Sequence, residues 1–519
     1  MKNHYVNVSA SSFETVKAAD YVDKSMLINI FNSFLNTSKK LVCISRPRRF
    51  GKTSAVKMLA AYYNCELDSH YLFDDSQTVR YKSSINKYNV LFMDISEFII
   101  NAENKHDIIT SIHKNICDEL HKKFPETESY NTLFEALSNI TSTDKKFIIL
   151  IDEWDAVFRE CADNIKLQEE YIELLRSLFK TSRTDDFLAG AYMTGILPIK
   201  KYGTHSALNN FKEFTMLSPE PFSRYIGFTE GEVQSICQSH NLDFSLMQKW
   251  YDGYVFNKLH IYNPESVQMV LLTKRFKSYW TETETYFSLK KYIKMNFDGL
   301  RDCVALLVNK GSCKINTRNF QNDMTSINSK DDVLTLLVHL GYLAFDEDMQ
   351  EVYIPNEEIL EEFKNVLDEQ DTDAVVEMYK TSEKLKKAIL SKDEEQAAKI
   401  IDDIHMRHTS IIKYNDENSL ANIISIGFMS LTNDYTLIRE MPAGKGFADI
   451  VAIPLVKPEL PMLIVELKWN QDAQTAIEQI RAKEYPKALE GRNGKIILVG
   501  INYDKSTKKH ECKIEEWIK

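Results

Sequence analysis

The sequence predicts an α/β chain in three parts: a parallel-sheet unit over residues 1–215, a mainly helical region with a winged-helix-like segment over 216–400, and a second α/β unit over 401–519. Three observations predict it. Four apolar runs, LVCIS (41–45), NVLFMDIS (89–96), KFIILIDEWD (146–155) and FLAGAYMTGI (187–196), alternate with helical patterns. Strands alternating with helices make a parallel sheet covered on both faces. From about 216 the reading is mainly helical, and from about 405 it changes again to helix (SLANIISIGFMSL), three strands (YTLIREMP, ADIVAIPL, PMLIVELKW), helix (DAQTAIEQIRAKEYPKAL) and strand (KIILVGINY).

The totals support folded domains. Of 519 residues, 44% are hydrophobic and 27% charged, enough for sizeable cores. A formal net charge of -11 argues against a chain that coats nucleic acid without specificity, but leaves room for a local cationic groove. The eight cysteines are scattered with no C-x-x-C pair, so neither a zinc cluster nor a disulfide framework is expected, and a reducing cytoplasm is. The start, MKNHYVNVSASSFETVKAAD, lacks the apolar core of a signal peptide. No stretch reaches the roughly 18 apolar residues of a membrane span.

In the first unit, the strand LVCIS runs into RPRRFGKT (46–53) and then a helical stretch. A strand, a loop ending Gly-Lys-Thr and a helix predict a phosphate-binding loop of a P-loop NTPase, built from Arg46, Pro47, Arg48, Arg49, Phe50, Gly51, Lys52 and Thr53. Gly51 permits close approach, Lys52 would reach the β and γ phosphates, and the Thr53 hydroxyl would bind Mg²⁺. The usual pattern has glycine where Arg46 stands, and Pro47 can stiffen the turn instead. Arg48 and Arg49 are left open between phosphate contact, an arginine finger in trans and plain surface. FIILIDEWD ends in adjacent acids. Asp152 is expected to hold the Mg²⁺ shell and Glu153 to orient the attacking water, against the alternative of a polar strand end. GAYMTG ends at Thr194, which would sense the γ-phosphate or simply cap.

RPRRFGKT, IDEWDAVF, YMTGILPIKKYG, WYDGYVF, IYNPESV and HLGYLAFDEDMQEVYIPNEEI resemble, in order, the blocks of bacterial AAA-ATPase-like proteins that carry a C-terminal nuclease-superfamily domain. The resemblance covers nearly the whole chain and implies ATP binding. In that family the loop begins with arginine, so Arg46 fits the family pattern and departs only from the generic one.

The last unit holds GKGFADIVAI and MLIVELKW. Asp449 precedes Glu466 by 17 residues, and Glu466-Leu467-Lys468 is an E-x-K, the pattern of the PD-(D/E)XK nuclease superfamily with its restriction-endonuclease-like fold. Phosphodiester hydrolysis needs a hard cation, which Asp449 and Glu466 would hold. On a strand Glu466 and Lys468 share a face, so Lys468 can hold the attacking water or stabilise phosphorane charge. Glu417 matches the acid this fold often places beside the metal, and Gln479 and Lys483, four apart on the next helix, would contact the substrate backbone. The same family's terminal domain has its matching residues at Glu417, Asp449, Glu466 and Lys468. The bland alternative for the E-x-K is a surface ion pair. Residues 471–519 hold ten Lys/Arg against eight acids, so the sequence shows no strong basic patch.

Three further features read as structural. His405 and His408 with Asp402 or Asp403 could bind metal, but a surface helix is the favoured reading. Trp250, Tyr251, Tyr254 and Phe256 could stack on bases, but core packing is favoured. Residues 345–374 hold twelve acids and one lysine, read as a solvated face.

The combined expectation is a cytoplasmic protein that binds and hydrolyses ATP and carries a Mg²⁺-dependent nuclease domain acting on nucleic acid, DNA foremost, with no membrane partner and room for a homo-oligomer. The rivals are a nucleotide-gated binding or signalling protein whose nuclease fold is a docking module, and an NTP-dependent oligomeric machine acting on protein.

Overall fold

The computed structural model describes residues 4–74, 83–102, 104–199, 208–280, 289, 292–293, 295, 297, 299–320, 327–368, 373–408, 417–455, 460–489 and 494–517. They form two compact units, one of residues 1–285 and 314–359, the other of 286–313 and 360–519. Among the described residues no helix is long and apolar enough to cross a membrane.

The first unit is built on a five-stranded sheet of β1 (Leu41–Ser45), β2 (Asn89–Asp94), β3 (Phe147–Asp152), β4 (Leu188–Gly195) and β5 (Lys212–Phe214), ordered β2-β3-β4-β1-β5 with every pair parallel. Every residue of β1, β3 and β4 is buried. That is why these strands read as unbroken apolar runs: helices cover both faces of the sheet. Cys43, Leu91, Ile149 and Met193 meet the apolar faces of the helices Ile108–Lys123 and Ile165–Phe179 in one core. The pairing Ser45↔Gly195 and Asp94↔Asp152 brings the carboxyl ends of the strands level, which in open α/β sheets is the edge that meets ligands.

Two small sheets complete this unit. β6 (Phe228–Thr229), β7 (Tyr254–Phe256) and β8 (Leu259–Tyr262) form one in the order β6-β8-β7, packed with the helices Glu230–His240, Phe244–Tyr251 and Pro264–Thr273. Tyr251 and Tyr254 are fully buried there, so the aromatic WYDGYVF segment is core. In the other, β10 (Ala344–Asp346) and β11 (Glu351–Tyr353) form a hairpin after the helix Lys330–Leu340, with β9 (Cys313–Lys314) as third strand. The hairpin turns over residues 347–350.

The second unit centres on β12 (Tyr435–Ala443), β13 (Gly446–Pro454), β14 (Met462–Trp469), β15 (Ile496–Asp504) and β16 (Lys509–Trp517), neighbours in sequence order. All pairs are antiparallel except β14–β15, which the helix Ala473–Ala482 connects. The helix Glu417–Gly427 packs on β14 and the helix Glu394–His408 on β16.

Cys303 and Cys313 come together, their Cα atoms 5.8 Å apart, because the chain reverses after the helix Leu300–Val308. Two expectations are corrected. His405 is not on a surface. Its helix turns that face to the sheet, and the ring packs edge-on against Tyr503 and His510 at 5.0 and 5.1 Å. In the acidic stretch, Glu358 and Glu362 are buried, Glu358 accepting hydrogen bonds from the Ser266 hydroxyl and the Tyr279 N–H.

Candidate functional sites

The loop 46–51 leaves β1 and enters the helix Lys52–Tyr63 through Gly51, whose φ of +86° suits glycine. A Cβ built on Gly51 would meet nothing within 4 Å, so the space over the loop is open. Lys52 is buried, and its Nζ donates to the carbonyls of Arg46 at 3.0 Å and Pro47 at 2.9 Å. Burial lowers the Lys52 pKa, and Glu153, Asp152 and Asp155 pull it back.

Arg46 does something the motif did not foretell. Its side chain is fully buried behind the loop, with Nη1 donating to the carbonyls of Ser45 at 2.8 Å and Phe214 at 3.2 Å and the guanidinium 5.6 Å from the Phe256 ring centre. Burial lowers its pKa to about 10. Its backbone N–H bonds the Gly195 carbonyl at 3.0 Å, tying the loop to the end of β4. Arg49, at φ +67°, donates to the Tyr279 carbonyl at 3.3 Å and lies 3.9 Å from Glu265. Phe50 is buried edge-on against Tyr254.

A cavity of about 690 Å³ opens over the loop, the size of a small-ligand site. Arg48 to Thr53, Glu153 and Arg159 are in its wall, together with apolar and aromatic groups such as Met58, Phe228 and Pro264. Arg46, Pro47, Asp152 and Thr194 are not in its wall. Asp152 and Thr194 lie just behind, both fully buried, the Thr194 hydroxyl donating to Asp152 Oδ1. Asp152 Oδ2 is buried with no hydrogen-bond partner. Such an orphaned oxygen is costly unless something binds it, and a divalent cation is the fitting partner for a bare carboxylate oxygen.

In the second unit, Asp449 projects from β13, and its Oδ2 accepts the Leu467 N–H of β14 at 2.7 Å. Burial raises its pKa. Glu466 is 2% exposed, and its Oε1 accepts from Lys468 Nζ at 3.1 Å and from Gln479 Nε2. Lys468 also donates to the Leu467 carbonyl at 3.0 Å. Gln479 reaches the buried Tyr485 hydroxyl at 3.3 Å. Lys483 is exposed and acts here through its carbonyl, which accepts the Lys445 N–H at 2.8 Å. Gly444 is required at that turn: its φ is +53° and a Cβ would stand 2.0 Å from the Lys483 carbonyl oxygen. Asp449, Glu466, Lys468 and Gln479 therefore converge. Glu417 begins the helix that packs on β14, and its side chain lies outside the described ones.

Comparison with known proteins matches both stretches of chain to families. Residues 7–204 match the family model described as a predicted AAA-ATPase, and residues 415–517 that of the PD-(D/E)XK nuclease superfamily. The chain carries an AAA-ATPase-like domain and a PD-(D/E)XK nuclease-superfamily domain. An uncharacterised protein from the vnfD 5′ region of Azotobacter chroococcum mcd 1 is 23% identical over 249 residues, 47% of this chain and 47% of its own. The chain thus spans about half the length of that curated relative. The Aeropyrum pernix ORC2 protein, solved as ADPNP-ADP complexes, aligns at TM-score 0.30 and 12% identity over 67% of this chain and 96% of that one.

In the AAA-ATPase-like domain, motif reasoning passed over Asp155 and Arg159. Asp155 is fully buried. Its Oδ2 accepts the N–H groups of Ile196 at 3.1 Å and Leu197 at 2.8 Å, and Arg159 Nε at 3.1 Å. The signal was present, since Asp155 and Arg159 sit four apart just after the acidic pair. In the nuclease-superfamily domain, Tyr485 is more closely built into the centre than Lys483.

Proposed function

We propose that the first domain binds and hydrolyses ATP and that the second cleaves phosphodiester bonds of nucleic acid, DNA foremost, with the nucleotide state governing cleavage. One observation carries this. Each domain gathers a buried lysine and carboxylates at one point, Lys52 with Asp152 and Glu153 from elements far apart in sequence, and Lys468 with Asp449 and Glu466 from two adjoining strands.

At the first site Thr53 and Asp152 would hold Mg²⁺, and at the second Asp449 and Glu466 would, with Glu417 in support. Bound there, the ion polarises phosphate oxygens and acidifies water. The remaining roles fall to side chains. Lys52 leaves the loop carbonyls for the β and γ phosphates. The loop N–H groups and the helix N-terminus hold the same phosphates. Thr194, fixed on Asp152, reports the γ-phosphate. Glu153 accepts the proton of the attacking water. In the second domain Lys468 stabilises charge on the phosphorane, and Gln479 holds Glu466 in place while Lys483 meets the substrate backbone.

The test is purified full-length chain incubated with labelled DNA and RNA, Mg²⁺ or Mn²⁺, and with ATP or without, while phosphate release is followed in parallel. Cleavage that needs metal and changes with ATP supports the reading. Tight ATP binding with no cleavage of any substrate transfers the second domain to a docking role.

A further inference from the structure

The group facing Glu153 is a cation, Arg159, in the short helix Ala156–Glu160. It lines the cavity and is 7% exposed at the side chain. Three acids hold it. Nε donates to Asp155 Oδ2 at 3.1 Å, Nη2 pairs with Glu153, and Nη1 lies 3.9 Å from Glu160. Asp155 is itself fastened to the backbone just after β4, through Ile196 and Leu197. The guanidinium therefore hangs from a rigid mount at Nε, and its outer nitrogens reach the wall of the cavity.

This arrangement is at odds with a base ready to act. Glu153 sits at φ +50°, a backbone position uncommon outside glycine and asparagine, and its carboxylate is engaged by Arg159. The carboxylate oxygen that Arg159 engages is not free to orient a water while that contact lasts. The crowding is also one of charge, with Asp94, Asp152, Glu153 and Asp155 gathered around Lys52 and Arg159. A triphosphate adds further negative charge beside Lys52, and an arginine binds phosphate through two parallel N–H donors, an offer Glu153 can match only in part. Of the loop arginines, Arg46 is buried behind the loop, Arg49 is turned to Tyr279 and Glu265, and Arg48 stands in the cavity wall on the side of the loop, away from the Asp155 mount.

We propose that Arg159 is the arginine of this ATP site, supplied in cis, which in the resting state holds Glu153 and on ATP binding exchanges it for the γ-phosphate. One movement of the outer guanidinium nitrogens then releases the base and places a cation on the transferring group. In the step that follows, the water oxygen bonds to the γ-phosphorus as the bond from that phosphorus to the β–γ bridging oxygen breaks. ADP leaves with the electron pair, the water proton passes to Glu153, and Arg159 offsets charge on the equatorial oxygens. Asp155 is a positioning residue, acting through Arg159. The proposal rests on the reading of this site as an ATP-hydrolysing one.

The experiment compares wild type, Arg159→Ala and Arg159→Lys in the full chain by three readouts: titration with ATPγS, titration with ADP plus aluminium fluoride, and single-turnover ATP hydrolysis. Arg159→Ala is expected to bind ATPγS within a few-fold of wild type. It should lose the tighter binding of ADP–aluminium fluoride, and hydrolysis should fall by about 10³ to 10⁵, the range for removal of such an arginine. Arg159→Lys keeps a charge on Asp155, which guards against misfolding. It should bind ATPγS as wild type does and still hydrolyse at least about 10²-fold more slowly, because the forked geometry is gone. If either variant hydrolyses ATP within tenfold of wild type, or keeps wild-type binding of ADP–aluminium fluoride, the proposal is overturned while the ATP site stands. A wild-type chain that binds no ATP, or binds and never turns it over, overturns the underlying reading and this proposal with it.

Discussion

The two lysine-carboxylate centres compensate buried charge in opposite ways. Lys52 is 4% exposed and Lys468 7%. Lys52 Nζ rests on two carbonyls of its own loop, at 3.0 and 2.9 Å, while the nearby acids are held by other groups, Asp152 by Thr194 and Glu153 by Arg159. Lys468 Nζ instead sits directly on Glu466, at 3.1 Å, and Gln479 donates to the same oxygen. A buried charge is tolerable only when it is paired or hydrogen-bonded. The first centre meets that demand around an open cavity of about 690 Å³, keeping room for a large anionic ligand. The second meets it within a few side chains, with Lys468 and Gln479 both placed on one oxygen of Glu466.

That contrast can be broken outright by removing a ligand. Asp449→Ala or Glu466→Ala is expected to reduce cleavage to background and to abolish Mn²⁺ binding by the second domain in calorimetry. ATP binding should be untouched. Loss of ATP binding in either variant would show that the two centres are not separate. Lys52→Ala, by contrast, should weaken ATP binding at least about tenfold to a hundredfold, the cost of one charge-assisted phosphate contact, and leave Mn²⁺ binding by the second domain as it was.

Next in size, Lys468→Ala should slow cleavage by about two to three orders of magnitude, the usual loss for one electrostatic donor, with metal binding intact. Metal binding that fell with it would make Lys468 a support for Glu466 rather than a group for the transition state. Gln479→Ala removes a partner of Glu466 at one remove from the metal, so activity or metal affinity should drop about 10- to 100-fold.

The smallest effect is one of pH and belongs to the first centre. Burial, Asp152 and Glu153 raise the Asp94 pKa to about 6 from 3.8. Its folded pKa lies above its unfolded one, so between roughly pH 4 and 6 the native state binds more protons, and this group's contribution to stability declines as pH rises through that window. Asp94→Asn should flatten the dependence of the unfolding temperature on pH over that interval. An unchanged slope in calorimetric scans would mean that the carboxylates at the end of β2 and β3 do not interact as their register implies.

Burial and local spacing explain which elements could be read from residue order. β1, β3 and β4 are covered on both faces, so hydrophobicity alone marks them, and the catalytic-type residues at their ends come as contiguous motifs, Gly51-Lys52-Thr53 and Asp152-Glu153. β14 and β15, buried along nearly their whole length, and the pair Asp449 with Glu466-Leu467-Lys468 were legible for the same reason. The short or polar strands were not. β5 is only Lys212-Glu213-Phe214, and β16, KHECKIEEW, has one face turned outward, so neither raises an apolar run above its surroundings. The tertiary structure alone decided three things. It placed β4 between β1 and β3, which sets Thr194 against Asp152 across 42 positions of sequence. It buried the Arg46 side chain behind the loop, because the carbonyl it bonds on Phe214 and the Gly195 carbonyl that takes its N–H belong to strands far along the chain. It also turned Arg159 onto Glu153 and Asp155, and His405 onto Tyr503 and His510. A motif specifies which side chains are near one another along the backbone, whereas the direction of a long polar side chain is chosen by whichever distant partners satisfy its charge once water is excluded.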